Sequence, residues 1–499
     1  MLEQPIGQSG RTARAGAAGL GATLAAMLVA GCAAVGPDYQ RPPSTLQGSA
    51  FINAGASASN AQPVHGDIAT FWRGFNDAEL SALVERGMAA NGDVRIAQAR
   101  LQEARALLGA ADAQAFPEFT LEAGSERAVR PVTQQPGASR SARTGTVHDA
   151  GFLANWELDL FGRARRGSEA AAAQVGVSQA GLQAAHTALA AEVARYYLEL
   201  RGAQQRLQVT QASLLNQHEA LRITAARFDV GRGTQLDVAR ARTLVESTEA
   251  GVPVLHALIE RALFRLATLT AQAPRTLIER LGVPAPLPGL PVTDLATLPL
   301  GTPQAWLERR PDVIAAERQL AAATAAIGVA KADLFPRVSL SGLLGLNAAS
   351  FGNLAKSESA VYSLGVGLSW TPFDFGRLRS RVAASEARAL QGLAGYEQTV
   401  AMAIEETEGA FSSFNRNAQR AERLERAANS AAEAAQLART RYDAGVTDFL
   451  VVLDAEREAL ANRDQWVQAQ TGTATSLVAV YRALGGGWSA PSLRVSSAH

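Results

Sequence analysis

The sequence predicts a mixed α and β membrane protein that repeats one plan twice along a single chain. Three observations support that fold class. Blocks of residues recur at a nearly constant offset, runs alternating apolar with small polar residues come in pairs, and each pair precedes a long proline-free stretch. Hydrophobic residues are 47% of the chain and aromatics only 6%, the excess being Ala and Leu, which favours long helices over an aromatic-rich sandwich. With 47 Lys and Arg against 46 Asp and Glu, the net charge of +1 offers no bulk field to nucleic acid or an anionic surface.

The first element is an export signal. Arg11 and Arg14 precede a run from Ala15 to Ala30 of only Ala, Gly, Leu, Met, Thr and Val, ending in Val29-Ala30-Gly31-Cys32. A basic stretch, an apolar core and small residues before a cleavage point form a secretory signal, and the run is short and poor in large apolar residues for a membrane span. It resembles a bacterial lipoprotein signal, cleaved before Cys32 so that the thiol carries lipid; Ala33 in the next position then implies the outer membrane. Cys32 is the single cysteine, so no intrachain disulfide and no multi-cysteine metal site can form.

The duplication comes next. Asp93 through Leu121 pairs with Asp312 through Leu340 at an offset of 335 − 116 = 219, matching Leu101 to Leu320, Gly109 to Gly328 and Phe116-Pro117 to Phe335-Pro336. Farther on, Trp156 pairs with Trp370, Phe161-Gly162-Arg163 with Phe375-Gly376-Arg377, and Arg227-Phe228-Asp229 with Arg441-Tyr442-Asp443, at 441 − 227 = 214. The second half therefore has a shorter loop between its candidate strands. The predicted division is a signal peptide over 1–31, a lipidated extended segment over 32–70, a first repeat over 71–290 (helix, β-hairpin, long helix, helix), a second over 291–484, and a tail over 485–499.

Each half offers one hairpin. Tyr362, Leu364, Val366, Leu368 and Trp370 alternate with Ser363, Gly365, Gly367 and Ser369, and Ala150, Phe152, Ala154, Trp156, Leu158 and Leu160 alternate with Gly151, Asn155, Glu157 and Asp159. A period of two with unlike faces describes a strand between two different solvents, and transmembrane barrel strands share this pattern with half-buried soluble ones. A second strand precedes each, over 119–123 and 338–346. Phe116-Pro117 and Phe335-Pro336 should switch helix to strand, because proline disfavours helix at the residue before it, and the two Phe-Gly-Arg triplets should switch back.

Proline-free stretches over 138–252 and 373–490 follow. Val193, Leu200, Leu207, Leu214, Leu221 and Phe228 recur every seventh residue, a stripe that keeps one seam on a partner helix. A helix over about 166–228 would be about 90 Å long. Gly231-Arg232-Gly233 and Asp443-Ala444-Gly445 should reverse the chain, with helices returning from Asp237 to about Thr270 and from Asp454 to about Leu484.

Four candidate strands per chain cannot make a membrane sheet alone, since unpaired edges are not tolerated in lipid; two chains would close eight strands and three twelve. Cys32 with Gly36-Pro37-Asp38-Tyr39, Phe71-Trp72 with Phe75 and Asp77, Arg309-Arg310-Pro311-Asp312-Val313 with Ala316-Glu317, and the two Arg-aromatic-Asp-x-Gly turns resemble the TolC-like outer-membrane efflux factors, in their lipoprotein (NodT/OprM-like) branch. That resemblance implies a homotrimer with a 12-stranded transmembrane β-barrel, four strands per chain, continued by a long periplasmic α-helical coiled-coil tube. It also implies a periplasmic adaptor (membrane fusion) protein, an inner-membrane pump of the RND type and outer-membrane lipid as partners, with diacylglycerol and an N-acyl chain on Cys32 and no other cofactor. The expected function is a passive conduit expelling small molecules such as drugs or toxic compounds. The alternatives are a duct for type I protein secretion or metal-ion efflux, and a non-conducting coiled-coil lipoprotein, which leaves the two-faced hairpins without a purpose.

The candidate site residues follow from this resemblance and from helical spacing. Gly231, Gly233, Gly445, Val446 and Thr447 should lie at the periplasmic tip where the adaptor docks. Leu450, Asp454 and Arg457, at spacings of four and three, share a helical face. Similar positions in OprM-like proteins line a closed aperture. Subtracting 214 from 454 gives Arg240, so Asp454 is expected to pair with Arg457 or Arg240 while Leu450 blocks the passage by bulk. Arg310, Asp312 and Glu317 look catalytic only in isolation; a helix-start and packing role is the expectation. The six histidines are dispersed, without His-Glu-x-x-His spacing, and no Gly-x-x-x-x-Gly-Lys or Gly-x-Ser-x-Gly turn occurs, so the chain is not expected to be an enzyme.

Overall fold

A computed structural model of the chain describes residues 34–43, 50–54, 70–295 and 302–485. The signal segment, Cys32 and all of the tail beyond residue 485 lie outside the described residues. In chain order the elements are α1 (Ala78–Ala90), α2 (Gly92–Ala113), β1 (Glu118–Val129), the one-turn α3 (Arg140–Arg143), β2 (Thr144–Leu158), α4 (Arg163–Asp229), α5 (Gln235–Glu249), α6 (Val252–Leu269) and α7 (Pro274–Leu281). They continue with α8 (Pro303–Leu307), α9 (Pro311–Ala332), β3 (Arg337–Ala348), β4 (Ala360–Ser369), α10 (Arg377–Asp443) and α11 (Phe449–Ala483). The chain divides into two compact units, one carrying the strands and one made of helices.

The strand-bearing unit is a four-stranded antiparallel sheet in the order β1-β2-β3-β4, so the two hairpins join through β2 and β3. Directly opposed residues share a face. Leu340 stands against both Trp156 and Val366, and Ser341 against both Asn155 and Gly365. The apolar face is open: Tyr362, Leu364, Val366 and Leu368 are 69 to 87% exposed. The strands outrun the expected segments, since β1 continues to Val129 and β3 covers Arg337–Ala348. Both strand-to-helix corners turn through left-handed glycines, Gly162 at φ 80° and Gly376 at φ 89°. The helices before each hairpin end at Ala113 and Ala332, four residues ahead of Pro117 and Pro336.

The helical unit holds the main hydrophobic core. Leu80, Leu83, Leu198, Leu200, Leu266, Leu277, Leu281, Phe411 and Phe414 are fully buried there. Phe71, Trp72 and Phe75 form a 3-10 turn sunk into the same core, with the Phe71 ring stacked on Tyr481 at 4.9 Å. Asp77 caps α1 by accepting from the Leu80 amide at 2.9 Å and also accepts from the Tyr197 hydroxyl at 2.7 Å. Burial pushes the Tyr197 phenol up to about 12.

The long helices α4 and α10 have 67 residues each, about 100 Å of helix if straight, and they start and end 214 positions apart. Along α4 the seven-residue stripe is buried at Val193, Leu200 and Leu207, half-buried at Leu214 and Leu221, and 40% exposed at Phe228. The expected helix from Asp237 to Thr270 is two helices: α5 ends at Glu249, and Ala250 and Gly251 interrupt before α6 begins with Pro253 in its first turn. Proline there has no N–H for a continuing helix and its ring crowds the carbonyl four residues back. In the second half no such proline occurs, and α11 runs unbroken from Phe449 to Ala483.

Candidate functional site

The reversals after α4 and α10 are built alike. After α4 the Gly231 amide donates to the Phe228 carbonyl at 2.9 Å and Arg232 to Arg227 at 2.8 Å; after α10 Gly445 donates to Tyr442 at 2.9 Å and Val446 to Arg441 at 2.8 Å. This pair of bonds satisfies the last helical carbonyls and needs a left-handed residue at its pivot, which Gly231 at φ 71° and Gly445 at φ 72° supply. Gly233 does not sit in that region; a Cβ there would come within 3.3 Å of the Phe228 nitrogen. Thr234 then starts α5 with a reciprocal cap, its hydroxyl accepting from the Asp237 amide while Asp237 accepts from the Thr234 amide. Val446 is 65% exposed, Gly445 is open to solvent and Thr447 is half-buried.

The first turns of α11 have two faces. Phe449, Val452 and Leu453 are buried against Ala241 and Ala438, with the Phe449 ring 5.2 Å from Tyr442 and the Arg227 guanidinium 4.1 Å over the ring of this tyrosine. The opposite face carries Leu450, Asp454 and Arg457, all exposed, so the spacing argument placed these three together correctly in the helix. Arg457 Nη2 lies 3.6 Å from Asp454 Oδ1. Arg240 is exposed and, among the described residues, makes no ion pair; within one chain it does not meet Asp454.

The sequence reading missed Glu456. Its carboxylate is 5% exposed; Oε1 accepts from Arg439 Nε of α10 at 2.5 Å and Oε2 has no hydrogen-bond partner among the described residues. Beside it a cavity of about 740 Å³ opens between α4, α10 and α11, lined by Asn216, Arg439, Asp443, Glu456 and Arg463 among small alanines. Farther along, Arg206 of α4 holds Asp464 of α11 through two bonds, at 2.6 and 3.1 Å. Following the buried spacing Phe449, Val452, Leu453, Glu456 would have singled this glutamate out, because a carboxylate on an apolar face needs a cation.

Arg310 and Glu317 take separate places. Arg310 opens α9 between Asp312 and Glu406, as a helix-start and packing residue would, whereas Glu317 lies in the strand-bearing unit and accepts from the Tyr39 hydroxyl at 3.2 Å. Residues just after Cys32 are also seated in the strand-bearing unit. The Val35 amide donates to the Phe161 carbonyl at 3.0 Å, and Arg166 donates to the Val35 and Gly36 carbonyls and, at 2.6 Å, to Asp38. Gly36, at φ 99°, passes so close to Gly328 that a Cβ would lie 2.5 Å from its Cα. The thread that leaves position 32 is therefore held at the corner between β2 and α4. Among the described residues no three His, Cys, Asp or Glu side chains gather as a metal site.

Comparison with known proteins bears on this geometry. Residues 83–272 and 302–486 match the model of the outer membrane efflux protein family. The chain is 33% identical to outer membrane protein OprJ of Pseudomonas aeruginosa over 478 residues, 94% of this chain and 96% of that protein. It is 31% identical to the solvent efflux pump outer membrane protein SrpC of Pseudomonas putida over 93% of this chain and 97% of that one. Among solved structures, the outer-membrane channel OprN superposes with a TM-score of 0.84 at 42% identity, covering 91% of this chain and 99% of that one.

Proposed function

The chain belongs to the outer membrane efflux protein family, and from that premise we propose that three copies close their sheets into a 12-stranded barrel continued by a periplasmic helical tube. It is an outer-membrane channel of an efflux system, and its family is one of ducts rather than enzymes. The observation that carries the closed barrel is a sheet whose apolar face is exposed, as lipid contact requires, while among the described residues the outer edges of β1 and β4 are unpaired, which lipid does not tolerate. Energy for transport then comes from an RND-type inner-membrane pump reached through a periplasmic adaptor docked at the turns around Gly231 and Gly445. The cargo is small molecules, drugs or toxic compounds, in keeping with the solvent efflux that names one relative. Purified from outer membranes, the chain should run as a trimer by native mass and give stepwise conductance in planar bilayers, and its deletion should raise dye accumulation. Monomers that conduct nothing would refute this function.

Cys32 is the proposed lipid site. Cys32→Ser should abolish acyl labelling and slow signal cleavage, yet leave trimers, since each buried lipid methylene adds only about 0.8 kcal/mol. Unchanged labelling in the variant would rule the site out.

The aperture is proposed at Leu450 and Asp454, with Arg240 of a neighbouring copy as a second cation beside Arg457. As an exposed i, i+3 pair, Asp454 and Arg457 are worth under about 1 kcal/mol, so removing the carboxylate leaves the fold intact. Leu450→Ala combined with Asp454→Ala should raise single-channel conductance severalfold and admit large antibiotics at unchanged expression. Parental conductance in this double variant would place the constriction elsewhere.

A further inference from the structure

The two hairpins obey the same register arithmetic, and it extends to the open edges of the sheet. In β1·β2 paired positions sum to 118 + 155 = 273, and in β3·β4 to 337 + 369 = 706. The difference, 433, equals 219 + 214, the two sequence offsets, so the operation that carries β1 onto β3 and β2 onto β4 preserves the pairing without a slip. Side chains at the helical end follow it too. Trp156 Nε1 donates to the Ala115 carbonyl at 2.9 Å, and Trp370 Nε1 to the Leu334 carbonyl at 3.0 Å.

One relation has no counterpart within the chain. Between the hairpins, β2·β3 pairs sum to 148 + 348 = 496, and beneath them the Phe161 ring stacks on Phe335 at 4.6 Å with planes 18° apart. Advancing β2 by 214 gives β4, and moving β3 back by 219 gives β1, but these two strands are the opposite edges of the sheet. The residues answering to Phe161 and Phe335 are Phe375 and Phe116. Instead of stacking they are 109% and 70% exposed, and Phe375 holds a left-handed backbone at φ 53°.

We infer that the open edge of β4 pairs antiparallel with β1 of a neighbouring copy in the register where paired positions sum to 496 + 214 − 219 = 491, closed at its helical end by Phe375 stacked on Phe116 of that neighbour. The facing agrees with that register. Tyr362, Leu364, Val366 and Leu368 share the apolar face of β4. A sum of 491 sets them against Val129, Arg127, Ser125 and Ala123, positions that share one face with Phe119 and Leu121, both exposed. Shifting by one residue would turn every one of these pairs inside out. On the other face, Gly365 and Gly367 meet Glu126 and Gly124, leaving room for the carboxylate. The contact is head to tail, joining unlike edges, and such contacts form closed rings when the rotation permits.

The inference rests on the proposed closure of copies into a ring, and disulfide trapping separates the two. Leu368→Cys with Ala123→Cys sums to 491. Opposed Cα atoms in an antiparallel pair are about 4.5 to 5.5 Å apart, within disulfide reach. Within one chain Ala123 is level with Ala360 across the sheet, so three strand spacings and eight residues of strand hold it roughly 30 Å from Leu368. Oxidised in the outer membrane, this pair should give a ladder of crosslinked bands that ends at three chains and collapses on adding reductant. It should exceed by at least tenfold the yield of Leu368→Cys with Ser125→Cys, and the parent with only Cys32 should give none. In a cycle of Phe375→Ala and Phe116→Ala, each single variant should lower the temperature at which oligomers dissociate, and the double should be no worse than either. A ladder from the shifted pair, or native-mass trimers with no ladder from either, would overturn the register while leaving the ring. Monomers throughout would overturn the ring itself.

Discussion

Arg310→Ala is expected to cost about 3 kcal/mol, because it strips the cation from two carboxylates at the junction of three helices. Arg310, its side chain 7% exposed, donates to Asp312 at 2.8 Å, to Glu406 of α10 at 2.6 Å and to the Ala483 carbonyl at the end of α11 at 2.6 Å. Asp312 and Glu406 keep some water, which holds the cost to the lower end of the range for broken buried pairs. Burial pushes the Glu406 carboxyl up, but hydrogen bonds from Arg310 and Arg482 outweigh it and hold this group below the usual carboxylate range. A carboxylate depressed by folding contributes stability above its unfolded pKa and loses it as pH falls through the folded value. Arg310, raised by its partners, stays charged throughout and adds nothing to that acid window. Unfolding of the purified protein should thus become easier below the usual carboxylate range, and Glu406→Gln should flatten this acid dependence. An Arg310→Ala loss under about 1 kcal/mol in denaturant titrations would show that the junction is held by packing alone.

Val366→Arg should remove most folded protein from the outer membrane. Val366 lies on the apolar face of β4, 74% exposed and opposite Leu340. A cation on the lipid face of a barrel costs roughly 2 to 4 kcal/mol toward the bilayer midplane, enough to lower a folding equilibrium by about 30- to 1,000-fold. Ser363→Arg on the other face of the same strand should be milder, since a charge there reaches water. Equal tolerance of both substitutions, measured as folded oligomer in outer-membrane fractions, would mean that the sheet is not in lipid.

Much of this was legible in the sequence because it depends on near neighbours. Strand faces follow from the alternation at Tyr362 to Trp370, the corners from Phe-Gly-Arg and Phe-Pro, and the helix ends from Gly231 and Gly445, whose left-handed backbone is available to glycine at little steric cost. Helical spacing likewise placed Leu450, Asp454 and Arg457 on one face. Tertiary structure decided which groups meet across the chain. Asp454, expected to pair with Arg457 or Arg240, lies at the surface beside Arg457, while Glu456, which no sequence argument singled out, is buried on Arg439. No local pattern brings residue 310 to residues 406 and 483, or sets β2 beside β3 to join the two hairpins. Periodicity tells which side of an element is apolar, but a charged side chain finds its partner only when separate elements pack, and the desolvation of that pairing depends on the whole arrangement.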